Sequence, residues 1–512
     1  MAAHLGKAFG SLAALTLLSR LSGFVRVAVF AAMYGGGREA DVFLSAMLIP
    51  ELMYRFVSEG LVAGAAVPMF VRSRDSADER QTIFWTQFWG LSAIAIVLTA
   101  VLWIPAAWYC RLLVPGFLPD AQAHMAGIWR SMSPYVLFSL QAAVITACLQ
   151  AAGQFARPAV GPILVNLVII GGILIVPVDR LELLGLIVTF SGFVQVVWLL
   201  WLAARDGIGW RSPWSNQGFR REVFTEFVGR SAPIAGWVVV TPVVPLIERY
   251  LLSFQAEGSV SILNYTDKIL YLPLGIVSLS LASVVFPRLS EQEPDQAAGT
   301  LARVLEALLL VLFPAVLVMH AGAAETAEVI FARGRFAARE TLLTAELLSA
   351  YAIFLVPASI TLLINRLLYA SGWYKTTLFI GLAAITAQVA GDTVLVGRLG
   401  PVGVGWGAVL AGTLQVTLLL AATARIFSRE RCLALLSPVL LAAVAVPLCL
   451  PLIRALGSSV RSLFPAGPLG SLLHLTVLWA TLQAPLALYW LHRGGYLRAR
   501  QTPSPPSTET GK

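Results

Sequence analysis

The chain has 512 residues, of which 58% are hydrophobic and only 12% charged, with a formal net charge of +9. That balance excludes a disordered chain and an ordinary soluble domain and points to a polytopic membrane protein. The basic residues are scattered through short loops with no aromatic-interleaved basic tract, which sets nucleic-acid binding aside. Cys110, Cys148, Cys432 and Cys449 lie in or beside apolar runs at unrelated spacings, with no metal-ligand or disulfide pattern.

One span needs about 20 apolar residues, and the polar breaks divide the chain into about fourteen expected spans. They cover 8–33, 41–70, 83–110, 127–152, 159–178, 183–204, 226–253, 260–287, 299–321, 345–370, 377–397, 402–424, 438–457 and 470–491. Lys7 precedes an apolar stretch without a small-residue cleavage site, so the first span reads as a retained helix. The even count puts both termini on one side. The excess of lysine and arginine in loops on that side predicts that both are cytoplasmic. The tail from Gln501, rich in Pro, Ser and Thr, is expected to be disordered.

Ionisable residues inside the first two spans organise the rest. Arg20 and Arg26 lie in the first span, and Asp41, Arg55 and Glu59 in the second. A charge at bilayer depth costs about 2.5–3.5 kcal/mol on insertion scales, so such residues normally face a bundle interior or a watery cavity. Asp41, Ser45, Leu48, Leu52, Arg55 and Glu59 recur at steps of four and three and form one helical stripe. Arg55 and Glu59 are one turn apart and can neutralise each other. Arg20 and Arg26 have no evident sequence-local partner, so a polar chamber is expected beside them.

A weak internal repeat relates the second and eighth spans. Pro50 through Arg72 and Pro273 through Arg288 each run from a proline-broken middle to a closing Pro-Arg or Pro and Arg. The architecture expected is therefore all-α, with two six-helix lobes around a central cationic cavity plus two extra C-terminal helices. The boundaries are 1–222 for the first lobe, 223–430 for the second, 431–492 for the extra pair and 493–512 for the tail. In the second lobe Asn264, Lys268, Tyr271, Gly275 and Ser278 fall on one helical face, with Asp267 beside Lys268. Glu248 and Arg249 interrupt the seventh span and are read as an ion pair or gating element.

The pattern L-x-S-R-x-x-G-x-x-R, then D-x-F-x-x-A-x-x-x-P, then E-G and P-x-F, resembles the MurJ (MviN) lipid II flippases of the MOP superfamily. The run from Gly258 to Ile276, L-V-P-G-F at 113–117, G-P-I-L-V-N at 161–166 and F-A-R-G-R-F at 331–336 extend the resemblance over most of 10–425. Val27 stands where an acid commonly follows the second arginine, and Pro50-Glu51 replaces the usual Pro-Asn. At 365–377 the chain departs from the usual Asp-Thr-x-x-Pro.

The resemblance implies that Arg20, Arg26, Arg55 and Lys268 receive the diphosphate of lipid II, and that the lobes alternate between inward-open and outward-open states. Guanidinium groups suit phosphate oxygens through their fixed fork of donors. It also implies a lipid-tail groove at 431–492, membrane lipids and cell-wall machinery as partners, and a location in the bacterial cytoplasmic membrane. No cofactor or metal is expected. A monovalent cation (sodium or proton) and the membrane potential are the candidate drives, with Glu248, Gln388, Asp392 and Thr413 as candidate cation ligands. Asp41, Glu59, Glu248, Arg249 and Asp267 are the candidate gating residues.

The chain has no H-E-x-x-H, G-x-S-x-G or Walker pattern and only five scattered histidines. A transporter is therefore expected rather than an enzyme. The alternatives are another MOP-type exporter, either a polysaccharide-repeat flippase or a cation-coupled antiporter, and a membrane glycosyltransferase. A cationic-drug antiporter calls for an acidic chamber, and a glycosyltransferase for a catalytic carboxylate at a cavity mouth.

Overall fold

The computed structural model describes residues 2–55, 62–73, 76–215, 218–240, 243–465 and 467–482. Every regular element among them is helical. In chain order these are α1 (Ala2–Tyr34), α2 (Arg38–Arg55), α3 (Val62–Arg72), α4 (Ala77–Trp103), α5 (Ala106–Leu113), α6 (Pro119–Met132) and α7 (Tyr135–Ala151). There follow α8 (Gly161–Ile175), α9 (Leu181–Arg205), α10 (Arg221–Val240), α11 (Val243–Leu252), α12 (Ser259–Pro273) and α13 (Leu279–Glu291). The rest are α14 (Pro294–Ala321), α15 (Ala323–Phe331), α16 (Ala338–Ala370), α17 (Tyr374–Leu399), α18 (Val402–Thr423), α19 (Arg429–Arg461) and α20 (Pro468–Leu482).

Ten helical stretches among the described residues are long and apolar enough to cross a membrane, so the chain is a multi-pass membrane protein. The second and seventh expected spans are each interrupted by undescribed residues. The fourteenth, α20, is described only to Leu482.

Proline placement explains the local breaks. Pro162 sits in the first turn of α8, where its missing N–H costs nothing, and Pro177 follows its end. Pro134 separates α6 from α7, so the expected span 127–152 is two helices in sequence. Pro273 ends α12 and is followed by a π-helical turn, Leu274–Ser278. That turn shifts the helical register. The expected stripe from Asn264 to Ser278 is interrupted before that turn: Asn264, Gly275 and Ser278 are buried but Tyr271 is 48% exposed.

Two compact units divide the chain. The first comprises Met1–Leu272, Ile330–Leu347 and Gly381–Leu414. In it α8 packs on α1 and α9, α7 on α3, α4 and α9, and α2 on α6. Phe70, Phe84, Trp85, Leu140, Ile145, Leu199 and Phe227 lie in one of its hydrophobic clusters. The loop after α9 is clamped onto α4: Trp85 Nε1 donates to the Gly209 carbonyl at 2.7 Å, and Arg211 pairs with Asp78 at 2.5 Å. The second unit comprises Pro273–Val329, Leu348–Ile380 and Gln415–Lys512. There α14 packs along α19, with Leu317, Ile453 and Leu478 forming a small core.

Candidate functional site

In the first unit, the turn between α1 and α2 is fastened to the start of α12. Asp41 is 3% exposed, and its two carboxylate oxygens accept from the amides of Gly258 and Ser261, each at 2.7 Å. A carboxylate at this position satisfies amides that a helix cannot pair internally and meets the positive end of its dipole. One helical turn further on, Tyr265 Oη donates to the Gly35 carbonyl at 2.6 Å, and its ring packs on Phe331 and Phe336. Gly258 has φ +95°, and a Cβ there would run into the Gly36 carbonyl oxygen. The glycine is thus required both by its backbone and by the close approach.

Deeper along α2 and α12 lies a small cavity of about 30 Å³ with charged groups in a largely apolar wall. Arg26 from α1, Glu51 from α2, and Asn264 and Lys268 from α12 supply its polar groups, while Phe30, Phe43, Ile169 and Ile173 wall it. Lys268 Nζ lies 3.0 Å from Glu51 Oε1. Arg26 interacts electrostatically with the same glutamate and with Tyr135. A second cavity of about 200 Å³ shares Arg26 and Glu51 and continues to Tyr135, Asn166 and Gln195. Asn166 is held by α1, donating to Ser22 Oγ at 2.9 Å. Among the described residues the site joins two cations and one carboxylate to neutral amides, unlike the acidic chamber that a cationic drug requires.

The remaining candidates fall in several places. Arg20 lies on the exposed side of α1. Glu59 and the side chain of Arg55 lie outside the described residues. The described part of the α2 stripe (Asp41, Ser45, Leu48 and Leu52) is buried, as its spacing predicts. Asp267 is half-buried beside Lys268. Glu248 and Arg249 are both buried, 3.9 Å apart, and Gln388 Nε2 reaches Glu248 Oε1 at 3.5 Å. Asp392, one turn beyond Gln388 on α17, is fully buried, and neither carboxylate oxygen has a hydrogen-bond partner among the described residues. It lies against Gly407 of α18, where any side chain would collide with it. Thr413 is exposed, its hydroxyl donating to the Val409 carbonyl at 2.7 Å.

A family model described as lipid II flippase MurJ matches residues 30–476. The chain belongs to the MurJ lipid II flippase family. Among curated MurJ proteins, the probable lipid II flippase of Rhizobium tropici is 29% identical over 365 residues, covering 68% of this chain and 67% of that protein. The one from Haemophilus influenzae is 26% identical over 463 residues, covering 84% and 89%. The lipid II flippase MurJ of Burkholderia cenocepacia is 25% identical over 419 residues, covering 78% and 80%. A solved MurJ in the inward-closed conformation superposes with TM-score 0.75 at 20% identity, over 94% of this chain and 99% of that one. An inward-facing MATE multidrug transporter of the MOP superfamily superposes with TM-score 0.67 at 14% identity, over 81% and 98%. These likenesses show the MurJ and MOP fold.

Membership of the MurJ family makes this chain a membrane transporter and not an enzyme, and links it to peptidoglycan synthesis through lipid II. Two features escape the MurJ motifs. Glu51 stands out in the sequence only as a departure from Pro-Asn, and nothing there pairs it with Lys268, 217 residues away. His124 of α6 is bracketed by Glu39 Oε2 at 3.3 Å and Glu182 Oε1 at 3.5 Å, an arrangement drawn from three distant segments.

Proposed function

We propose that this chain moves lipid II from the cytoplasmic to the periplasmic leaflet of the bacterial cytoplasmic membrane by alternating access, with both termini cytoplasmic. The reading is carried by one observation: Arg26 and Lys268, from α1 and α12, line the same largely apolar cavity. In apolar surroundings, charge-assisted hydrogen bonds from both hold a diphosphate far more firmly than they would in water. Arg20 and Arg55 complete the cationic path for the headgroup. The lobes are 1–222 and 223–430, and the region 431–492 takes the undecaprenyl tail, with 493–512 as a cytoplasmic tail. α19 borders a groove of about 1080 Å³ against α14, which supports that placement of the tail.

Gating belongs to Asp41, Glu59, Glu248, Arg249 and Asp267. Asp41 bound to the α12 amides holds one state, and cargo shifts the balance only by interacting better with the other. A monovalent cation fits Asp392, whose buried carboxylate has no hydrogen-bond donor among the described residues, together with Glu248 and Gln388, which approach each other on neighbouring helices. Thr413 completes the set through its oxygen. When bound, the cation supplies positive charge that neutralises these carboxylates. Membrane potential adds about 2.3 kcal/mol per charge moved across 100 mV.

Native mass spectrometry of the purified chain tests the substrate. Retention of lipid II over zwitterionic phospholipid, lost in Arg26→Ala and Lys268→Gln, is the expected result. Equal retention of both lipids by the unsubstituted chain contradicts the diphosphate site.

A further inference from the structure

We infer that Glu51 is an internal stand-in for the cargo anion: its carboxylate fills the cationic site when the headgroup is absent and is displaced when it enters. The inference rests on the reading above, that Arg26 and Lys268 receive a diphosphate, and adds how the site is kept and emptied.

Three observations carry it. Glu51 Oε1 is 3.0 Å from Lys268 Nζ, a direct charge-assisted contact between α2 and α12. Glu51 lines both cavities, as does Arg26, whose charge interacts with it. Both side chains of the pair are part-buried, at 24% exposure for Lys268 and 30% for Glu51.

Two cations held among Phe30, Phe43, Ile169 and Ile173 without an anion would be costly, because neither water nor a counter-charge offsets their desolvation. A carboxylate offers an ammonium and a guanidinium the same chemistry as a phosphate, namely adjacent anionic oxygens that accept several N–H bonds. The cavity beside Lys268 is about 30 Å³, room for about two waters and not for a diphosphate. A diphosphate therefore cannot sit on Lys268 while Glu51 stays there. The neighbouring cavity of about 200 Å³ gives the displaced side chain or the entering headgroup somewhere to go.

Cargo entry is then an exchange of one anion for another, and cargo exit is the reverse. The exchange weakens binding but prevents the site from trapping its ligand. Loss of a merely structural ion pair would have the opposite sign, lowering affinity and stability together.

The test uses the full chain in proteoliposomes, with lipid II as probe and phosphatidylethanolamine as zwitterionic control. Glu51→Gln is expected to bind lipid II about tenfold tighter and to flip it more slowly, while Glu51→Asp returns both values toward the unsubstituted protein. Glu51→Asn serves as a second neutral variant, and monodispersity and melting temperature are measured for each. In a Lys268→Gln background, adding Glu51→Gln is expected to raise affinity, since the single variant leaves an uncompensated carboxylate facing the headgroup. Neutral variants that bind no tighter, while the unsubstituted chain still prefers lipid II, overturn the stand-in role alone. No preference for lipid II in any form overturns both this role and the diphosphate site.

Discussion

The amide of Ser261 donates to Asp41 Oδ1 at 2.7 Å, across 220 residues of chain. With the matching bond from Gly258 to Oδ2, it makes an α2 side chain the cap of α12. The α1–α2 turn and the first turn of α12 therefore move as one piece as long as the carboxylate stays in place. Arg26, Glu51 and Lys268 lie along the same helices, so the cap and the cationic cavity share their supports.

Asp41→Ala is expected to lower stability by about 1–2 kcal/mol, the usual effect of losing an N-cap, with a further loss from the two amides left buried. Thermal denaturation of the purified variant measures the first effect. Growth of cells depending on the variant measures the functional loss, which is expected to be severe. A variant with unchanged melting temperature and growth would show that the cap contributes nothing.

Two glycines provide a matched comparison. Gly258→Ala should destabilise by more than about 1 kcal/mol, because a side chain is strained at φ +95° and would strike the Gly36 carbonyl. Gly229→Ala in α10 has open space around the new Cβ and should be neutral or stabilising by about 0.5–1 kcal/mol. Melting temperatures of both variants, measured side by side, decide the point.

Much of the helix order was legible because apolar windows and polar breaks report directly on bilayer depth, and the α2 stripe emerged from spacing alone. Pairings between distant helices were not legible. Asp41 was placed on one stripe with Arg55 and Glu59 as a gating candidate, yet it accepts from backbone amides, which carry no residue-type signal. Lys268 was read as a cargo ligand, but the sequence could not reveal that Glu51 sits against it. Nor did a uniform period anticipate that Tyr271 is exposed between buried Asn264 and Ser278, or that a π-helical turn follows Pro273. Asp392 was expected as a candidate cation ligand. The approach of Gly407 that encloses it was not.

Asp392→Asn tests the cation reading. Sodium, or protons if they are the coupling ion, should raise the melting temperature of the unsubstituted protein, by about 2.7 kcal/mol of stability at a hundredfold excess over Kd. The variant should lose that dependence and retain lipid II. Cation stabilisation that survives the substitution would remove Asp392 from the site.

Arg20→Ala, Arg26→Ala and Arg55→Ala are each expected to abolish complementation of a strain depleted of its lipid II flippase, with protein levels unchanged. Colony growth and immunoblotting read the two quantities. Full rescue by all three would discard the arginines as the headgroup path.

The most direct measurement is the leaflet distribution of lipid II in cells depleted of this chain and then resupplied with it or with Arg26→Ala. The account predicts that lipid II accumulates on the cytoplasmic leaflet after depletion, and that the unsubstituted chain clears it while Arg26→Ala does not. An unchanged lipid II distribution, or accumulation of a different carrier-linked glycan, would contradict it.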